Sequence, residues 1–377
     1  MVSNRRDYLK LISRGLAAAV VAEGAKPFAL SARAESKVDA SQLAMPGLYR
    51  GRVVSVQNPS VLASGLYQAE VVQQMMRRGM MELTGADGWA DAWRRFFEAG
   101  DVVGIKLNPN AAPLVKSDAT VLREIVAGLE AAGVKRQDII VFNRYRSELL
   151  EGGCDRWLPD GVRMAAAARH YDEIQQDIEG YDPEHYVDMA LTLPGFTVDD
   201  VTARRSFAAL FITRDVNKLI NVPCLKDHQS AGITLALKNL SHGLVNNVHR
   251  SHGTISLNAC NAFIPAVVAM PVIRTKTVLH ILDGVKGVYH GGPGANPQFV
   301  WKHNTFYFAT DPVALDHIGW DVIDAKRLSV GMKKLVEATP DEFSTFVHRQ
   351  PEHVEIAGAL GLGEWDRGKI ELREVKL

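Results

Sequence analysis

The 377-residue sequence predicts an α/β protein: a mainly parallel sheet with helices on both faces and a site at the carboxyl ends of the strands. Two patterns lead there. Short β-branched runs alternate with stretches of helical periodicity, as a sheet with covering helices requires. Five of those runs end in ionisable or amide residues, where open parallel sheets bind their ligands. No proline- or serine-rich linker, charge block or internal repeat interrupts the alternation, so residues 35–377 read as one α/β domain.

A helix is expected over 67–83 and a buried strand over 102–107. The next helix, 119–132, sets Val121, Ile125 and Leu129 on one face, with Ser117 or Asp118 as cap and Gly133 as stop. Strands over 139–142 and 218–222 follow, then helices over 233–240 and 258–270. Strands over 278–282 and 305–309 precede helices over 313–323 and 352–360. The closing run 369–375 alternates apolar and charged residues, as an edge strand does.

Composition narrows the function. Hydrophobic side chains make up 47% and charged ones 23%, values of an ordinary globular protein. Lys plus Arg and Asp plus Glu both total 43, but the first 34 residues hold six basic groups (Arg5, Arg6, Lys10, Arg14, Lys26, Arg33) against Asp7 and Glu23. The remaining body is mildly acidic and lacks the clustered positive charge that nucleic-acid binding needs.

The leader itself resembles a twin-arginine export signal: Ser3-Asn4-Arg5-Arg6-Asp7-Tyr8-Leu9-Lys10, a short apolar run over 16–22, and Ala32-Arg33-Ala34 as a cleavage site. Residues 1–34 are therefore expected to be a signal peptide handled by the twin-arginine translocase, with a periplasmic or exported destination. That route carries folded proteins, often with a cofactor already inserted. No stretch reaches the roughly 20 apolar residues of a membrane-spanning helix; the best, 262–273, contains Pro265 and Pro271. Three cysteines (Cys154, Cys224, Cys260) allow at most one disulfide and cannot ligate an all-cysteine iron–sulfur cluster, which takes four thiolates.

The polar strand ends gather the candidate site residues. Lys106 lies within an apolar run and is followed by Asn108 and Asn110; its ammonium loses hydration there unless a carboxylate or anionic ligand compensates. Asn143-Arg144, Lys226-Asp227-His228, Asp283 and Thr310-Asp311 close the other runs. Asp311 precedes Pro312 and reads equally as a helix cap. Four of 12 histidines (His228, His242, His249, His252) fall within 25 residues. Lys238, Asn239 and His242 share a face if the helix over 233–240 continues for half a turn. His242, His249 and His252 can ligate one transition-metal ion; acid–base, anion-binding and purely structural readings stay open. The loop His290–Pro297 offers Gly292 as a backbone donor or serves as a turn alone. Cys224 reads as passive.

At these residues the chain resembles the domain-of-unknown-function 362 family. The resemblance rests on Val103–Asn108, on Leu219–His228 with Gly232–Leu240, on Asp283-Gly284 with Gly292-Pro293, on Thr310–Asp316, and on a late helix before Gly361-Leu362-Gly363. It spans about residues 95–365 and singles out Lys106, Asn108, Lys226, His228, Lys238, Asn239, Asp283 and Asp311 as signature positions. Cys224 stands where a lysine is common, and the cysteine-rich ferredoxin module of some members is missing.

Two functional classes follow. One is an exported enzyme acting on a small anionic or carbonyl-bearing substrate. Lys106, Lys226, His228, Lys238 and Asp283 are then the catalytic candidates, and Asn108, Asn239, Gly292 and Asp311 the substrate-binding ones. The other is a non-catalytic periplasmic binding or accessory protein that holds a metal, cofactor or ligand for a partner.

Overall fold

The computed structural model describes residues 40–252 and 258–377. The expected leader, 1–34, lies outside the described residues. The first strands are β1 (Arg52–Gln57), β2 (Leu62–Ala63), β3 (Leu66–Tyr67), β4 (Val103–Lys106), β5 (Ile139–Phe142), β6 (Arg163–Ala165) and β7 (Tyr181–Asp188). They are followed by β8 (Arg205–Ala209), β9 (Lys218–Asn221), β10 (Cys224–His228), β11 (Gly232–Ile233), β12 (Thr277–Val288), β13 (Val300–Ala309) and β14 (Glu371–Lys376). The longer helices are α1 (Ala69–Thr84), α2 (Ala119–Ala131), α3 (Leu235–Leu244), α4 (Cys260–Val268), α5 (Pro312–Ser329) and α6 (His353–Ala359).

One large mixed sheet runs in the order β14-β1-β13-β12-β9-β4-β5-β6, with β10 beside β12 and β11 beside β10. Six of its nine pairings are parallel, and antiparallel neighbours occur only at β1–β13, β12–β13 and β10–β11. The fold is thus α/β, as expected. Strand alternation divides the core into two layers. Ile140, Phe142, Leu219, Leu282 and Tyr307 point to the layer that contains apolar residues of α3, α4, α5 and α6. Ile139, Val141, Ile220, Ile281 and Phe306 point to the layer filled by α1 and α2. Helices therefore cover both faces, and the carboxyl ends of the parallel strands lie between the two layers.

Several expected elements recur with little change. Strand β5 coincides with 139–142, and α2 starts behind Asp118, whose carboxylate accepts the Thr120 N–H at 2.8 Å. Helix α3 starts two residues later than expected because Gly232 and Ile233 pair with His228 and Asp227 as β11. It runs on to Leu244, so Lys238 and His242 do lie on one helix. Its first turn has no cap from Thr234; the Asp316 carboxylate of α5 accepts from Ala236 N at 2.7 Å and Leu237 N at 2.9 Å instead. Strand β14 lies at the sheet edge, parallel to β1.

The run 223–228 departs from expectation. Read as the polar tail of a strand, it forms the fully buried strand β10. Pro223 cannot donate, so β9 ends before it, while its carbonyl accepts the Asp283 N–H at 2.9 Å. The chain then pairs alongside β12, Cys224 opposite Asp283 and Lys226 opposite Val288. The charged residues Lys226 and Asp227 are consequently inside the sheet, not in a loop.

Asp311 holds the frame together. One oxygen caps α5 by accepting from Val313 N at 3.0 Å and Ala314 N at 2.9 Å. The other accepts from Gly51 N and Glu364 N, both at 2.9 Å, tying the approach to β1 and the C-terminal loop to the same carboxylate. Asp311→Ala leaves four buried donors without an acceptor and should lower unfolding free energy by roughly 2–4 kcal/mol. Asp118→Ala, which loses a single cap bond, should cost about 1 kcal/mol. Urea unfolding of the two variants measures the contrast, and equal losses would contradict this account of Asp311.

Candidate functional site

A cleft of about 410 Å³ opens at the carboxyl ends of β4, β5 and β10, beneath α3. Lys106, Asn108, Asn143, Arg144, His228, Lys238, Asn239, His242, His249 and His252 all contribute to its wall. Helix α3 supplies three of them, Lys238, Asn239 and His242, at the spacing that places side chains on one side of a helix.

Lys106 is buried at the end of β4, yet no carboxylate accepts from it. Its ammonium reaches Leu107 O at 2.6 Å, Asn143 Oδ1 at 3.0 Å and Asn239 Oδ1 at 3.3 Å. Neutral amide oxygens thus stand where a carboxylate or anion was expected. Glu148, which accepts from Asn143 Nδ2 at 2.5 Å, acts on Lys106 only through space. Burial lowers the Lys106 pKa to about 7, against the pull of Glu148. The approach of this side chain to α3 needs Gly243: a Cβ there would stand 2.1 Å from Lys106 Cε.

Asn239 and Asn108 extend the network to a second lysine. Asn239 Oδ1 also accepts from Asn108 Nδ2 at 3.0 Å, and its own amide donates to Asn221 Oδ1 at 2.7 Å. Asn108 Oδ1 accepts from Lys226 Nζ at 2.9 Å, and Asn110 Oδ1 accepts from the same ammonium. Burial lowers the Lys226 pKa to about 8. Lys238 differs. Its amino group faces the cleft with no hydrogen-bond acceptor among the described residues. Burial lowers its pKa to about 7, and the nearby cations Lys226 and Arg144 add to the effect.

Burial disfavours the charged form of His228, His242 and His252. His228 Nδ1 accepts from Ser230 N at 3.1 Å and Ala231 N at 3.3 Å, which assigns the ring proton to Nε2. His228 stacks on His252 with centroids 5.4 Å apart. His242 is held between Ser241 Oγ and Ser251 Oγ, each at 2.9 Å; Ser251 donates onward to Val248 O at 2.7 Å, so His242 Nε2 is the donor in that pair. Burial, followed by the charge of Lys238, holds His228, His242 and His252 well below the usual imidazole range.

The metal expectation needs correcting. His242 and His252 do approach each other, but their third neighbour is Cys260 of α4, the three donor atoms lying within 4.8 Å of one another. His249 is outside that group, its Nδ1 taken by Glu173 O at 2.9 Å at the rim of the cleft. The spacing of His249 and His252 does not decide the matter, because the chain folds the two rings 5.9 Å apart at their centroids.

Four expected site residues do not line the cleft: Lys226 is fully buried behind Asn108 and Asn110, and the other three are placed elsewhere. Asp283 is buried behind β10 with Tyr67 Oη at 3.0 Å and Val285 N at 3.1 Å; burial raises its pKa to about 7. Asp311 is engaged by four backbone donors, as above, and does not line the cleft. Gly292 backs the site without facing it. Its N–H donates to Asp227 Oδ1 at 2.8 Å, its carbonyl accepts from Gln229 N at 3.0 Å, and a Cβ would fall 2.2 Å from Asp227 O. Cys224 is buried, and burial pushes its thiol up to about 12, in keeping with a passive role. Residues that the sequence reading passed over also line the cleft: Tyr145, Glu148, Tyr171, Gln175, Ser230 and Thr234. Most of them sit in loops or turns that no motif marks; Glu148 is on the short helix Arg146–Glu151, and Thr234 precedes α3 within the run 232–240.

A family model described as "Domain of unknown function (DUF362)" matches residues 103–321, which hold most of these side chains. No curated protein matches the chain. Among solved structures, a crystal structure of a protein from Thermotoga maritima is similar at 12% identity and a TM-score of 0.40, over 72% of this chain. The chain spans 61% of that protein's length.

Two outcomes follow from this geometry. Lysines with depressed folded-state pKa bind fewer protons folded than unfolded between that value and the ordinary 10.5. Stability should therefore rise as pH increases from about 7 to about 9, a window that precedes tyrosine ionisation. Tm followed across that range should climb, and Lys238→Met should flatten the slope; a Tm that falls in both proteins would contradict the buried-amine assignment. Gly243→Ala should displace Lys106 and destabilise the fold by about 1–3 kcal/mol, read by urea unfolding.

Proposed function

The chain belongs to the DUF362 family, and from that premise we propose that it is an exported enzyme acting on a small anionic, carbonyl-bearing substrate held in the cleft. The observation that carries the reading is the Lys238 amino group, buried and facing the cleft without an acceptor among the described residues. An incoming carboxylate or polarised carbonyl oxygen supplies the missing partner, and its charge is worth more there than in water. Arg144 lines the same wall and offers a planar fork for a carboxylate. His228 presents Nε2–H as a neutral donor, suited to a substrate oxygen that gains negative charge in the reaction. Lys106 and Lys226, tied to Asn239, Asn108 and Asn143, set the positive potential behind them. The volume suits a small molecule.

Export through the twin-arginine translocase to the periplasm is part of the proposal and rests on Arg5-Arg6 and the residues that follow. No helix among the described residues is long and apolar enough to cross a membrane.

A second reading, a metal-holding accessory protein, is favoured by the His242–His252–Cys260 group. Two imidazoles and a thiolate suit zinc or copper. Ser251 must then release His242 Nε2.

The experiments separate the readings. A thermal-shift panel of small carboxylates, 2-oxo acids and phosphates should stabilise the wild type with at least one class. Lys238→Met should abolish that shift, and turnover of the stabilising compound should fall at least about 100-fold in Lys238→Met and in His228→Asn. No shift across the panel, or unchanged turnover in both variants, would overturn the enzyme reading. Metal analysis of protein recovered after native export should give about one ion per chain under the second reading, lost in Cys260→Ser and His252→Ala. Metal-free protein would exclude it.

A further inference from the structure

We infer that Lys238 is a covalent nucleophile that captures a 2-oxo acid as an imine. This rests on the enzyme reading and names its substrate class and first chemical step. Of the three lysine amino groups at this end of the sheet, Lys238 alone has no hydrogen-bond acceptor among the described residues. Lys106 spends its N–H groups on Leu107 O, Asn143 and Asn239, and Lys226 on Asn108 and Asn110. An ammonium sealed in a cleft wall without an acceptor is the costly form of a lysine; the neutral amine, whose lone pair is the nucleophile, is the form that this environment favours. Lys226 and Arg144 reinforce that preference, since a second and third cation close by disfavour protonation.

The surroundings supply the remaining requirements. Arg144 can hold the carboxylate, which leaves the adjacent carbonyl carbon toward Lys238. His228 Nε2–H can hold the carbonyl oxygen. In the step itself, the Lys238 nitrogen pair forms the C–N bond while the C=O π pair moves to oxygen. A proton passes from the resulting ammonium to that oxygen, giving the carbinolamine. The nitrogen's remaining proton then passes to the hydroxyl group as the nitrogen pair closes the C=N bond and the C–O bond breaks, so that water departs. Amine and ketone become imine and water, and no oxidant or reductant is consumed. A protonated imine withdraws electrons from the neighbouring carbon, so the chemistry that follows belongs to the class passing through a carbanion equivalent, such as decarboxylation or carbon–carbon bond exchange.

The test uses the exported chain with pyruvate and glyoxylate as probes, in the presence of cyanoborohydride, which reduces an imine to a stable secondary amine. Peptide mass mapping should find the adduct at Lys238 at least about tenfold faster than at exposed Lys369, because a lysine with a depressed pKa has far more free amine at neutral pH. Lactate, which has the carboxylate but no carbonyl, should slow labelling of Lys238 and not of Lys369. Lys238→Arg should keep its thermal unfolding transition and lose the adduct; the lactate competition needs no variant and stands if the substituted chain fails to fold. A probe that raises Tm but leaves Lys238 unlabelled would overturn the imine and keep the binding cleft. A probe that neither raises Tm nor labels Lys238 would overturn both.

Discussion

Three amino groups are brought to one end of a sheet without a hydrogen-bonded carboxylate for any of them. That is the constraint around which the rest of the site is arranged. Moving an ammonium out of water costs several kcal/mol even after relaxation, so each group must find acceptors or give up its proton. Lys106 and Lys226 find acceptors in a chain of carboxamides, Asn143, Asn239, Asn108 and Asn110. Those oxygens carry no charge, so they satisfy the N–H groups and leave the positive potential in place. Lys238 receives no such partner among the described residues, and the cleft is left with one reactive position.

Such an arrangement holds only if its frame is stiff. Helix α3 carries Lys238, Asn239 and His242, and its first turn is fixed from outside by Asp316 of α5. Helix α5 is itself started by Asp311, which also anchors the approach to β1 and the C-terminal loop. Strand β10 is clamped through Asp227 by the Gly292 N–H, where no side chain would fit. These two carboxylates, Asp227 and Asp311, are buried and have pKa values raised to about 6, in line with structural duties performed in a dry interior. The same burial raises the pKa of Asp316 well above the usual range.

Much of the framework was legible because it follows from short-range pattern. Strand β5 and helix α2 are strongly periodic, and Asp118 is a cap of the usual type. Lys106 drew notice because a cation inside an apolar strand needs an explanation, and the end of that strand is indeed a wall of the cleft. What stayed hidden depends on contacts far apart in the chain. Pro223 marks locally where one strand ends, but nothing local shows that 224–228 starts another beside β12. Cys260 joins His242 and His252 only because α4 packs against α3, whereas His249, adjacent in sequence, turns to the Glu173 carbonyl. Asp311 follows the end of β13 as expected, whereas Asp283 lies within β12, which runs on to Val288; their oxygens are filled by backbone donors in the first case and by Tyr67 and Val285 in the second. A strand-end position fixes where a residue is, and its partners fix what it does.

The central claim is that the three buried amino groups have pKa values lowered toward neutral pH, Lys238 without a hydrogen-bond partner among the described residues. Carbon-13 NMR of chain labelled at the lysine Cε positions, titrated with pH and assigned by Lys→Met variants, measures this directly. The account predicts that Lys106 and Lys238 titrate near 7 and Lys226 near 8, apart from the surface lysines. Titration of all three with the surface lysines, at about 10.4, would contradict it.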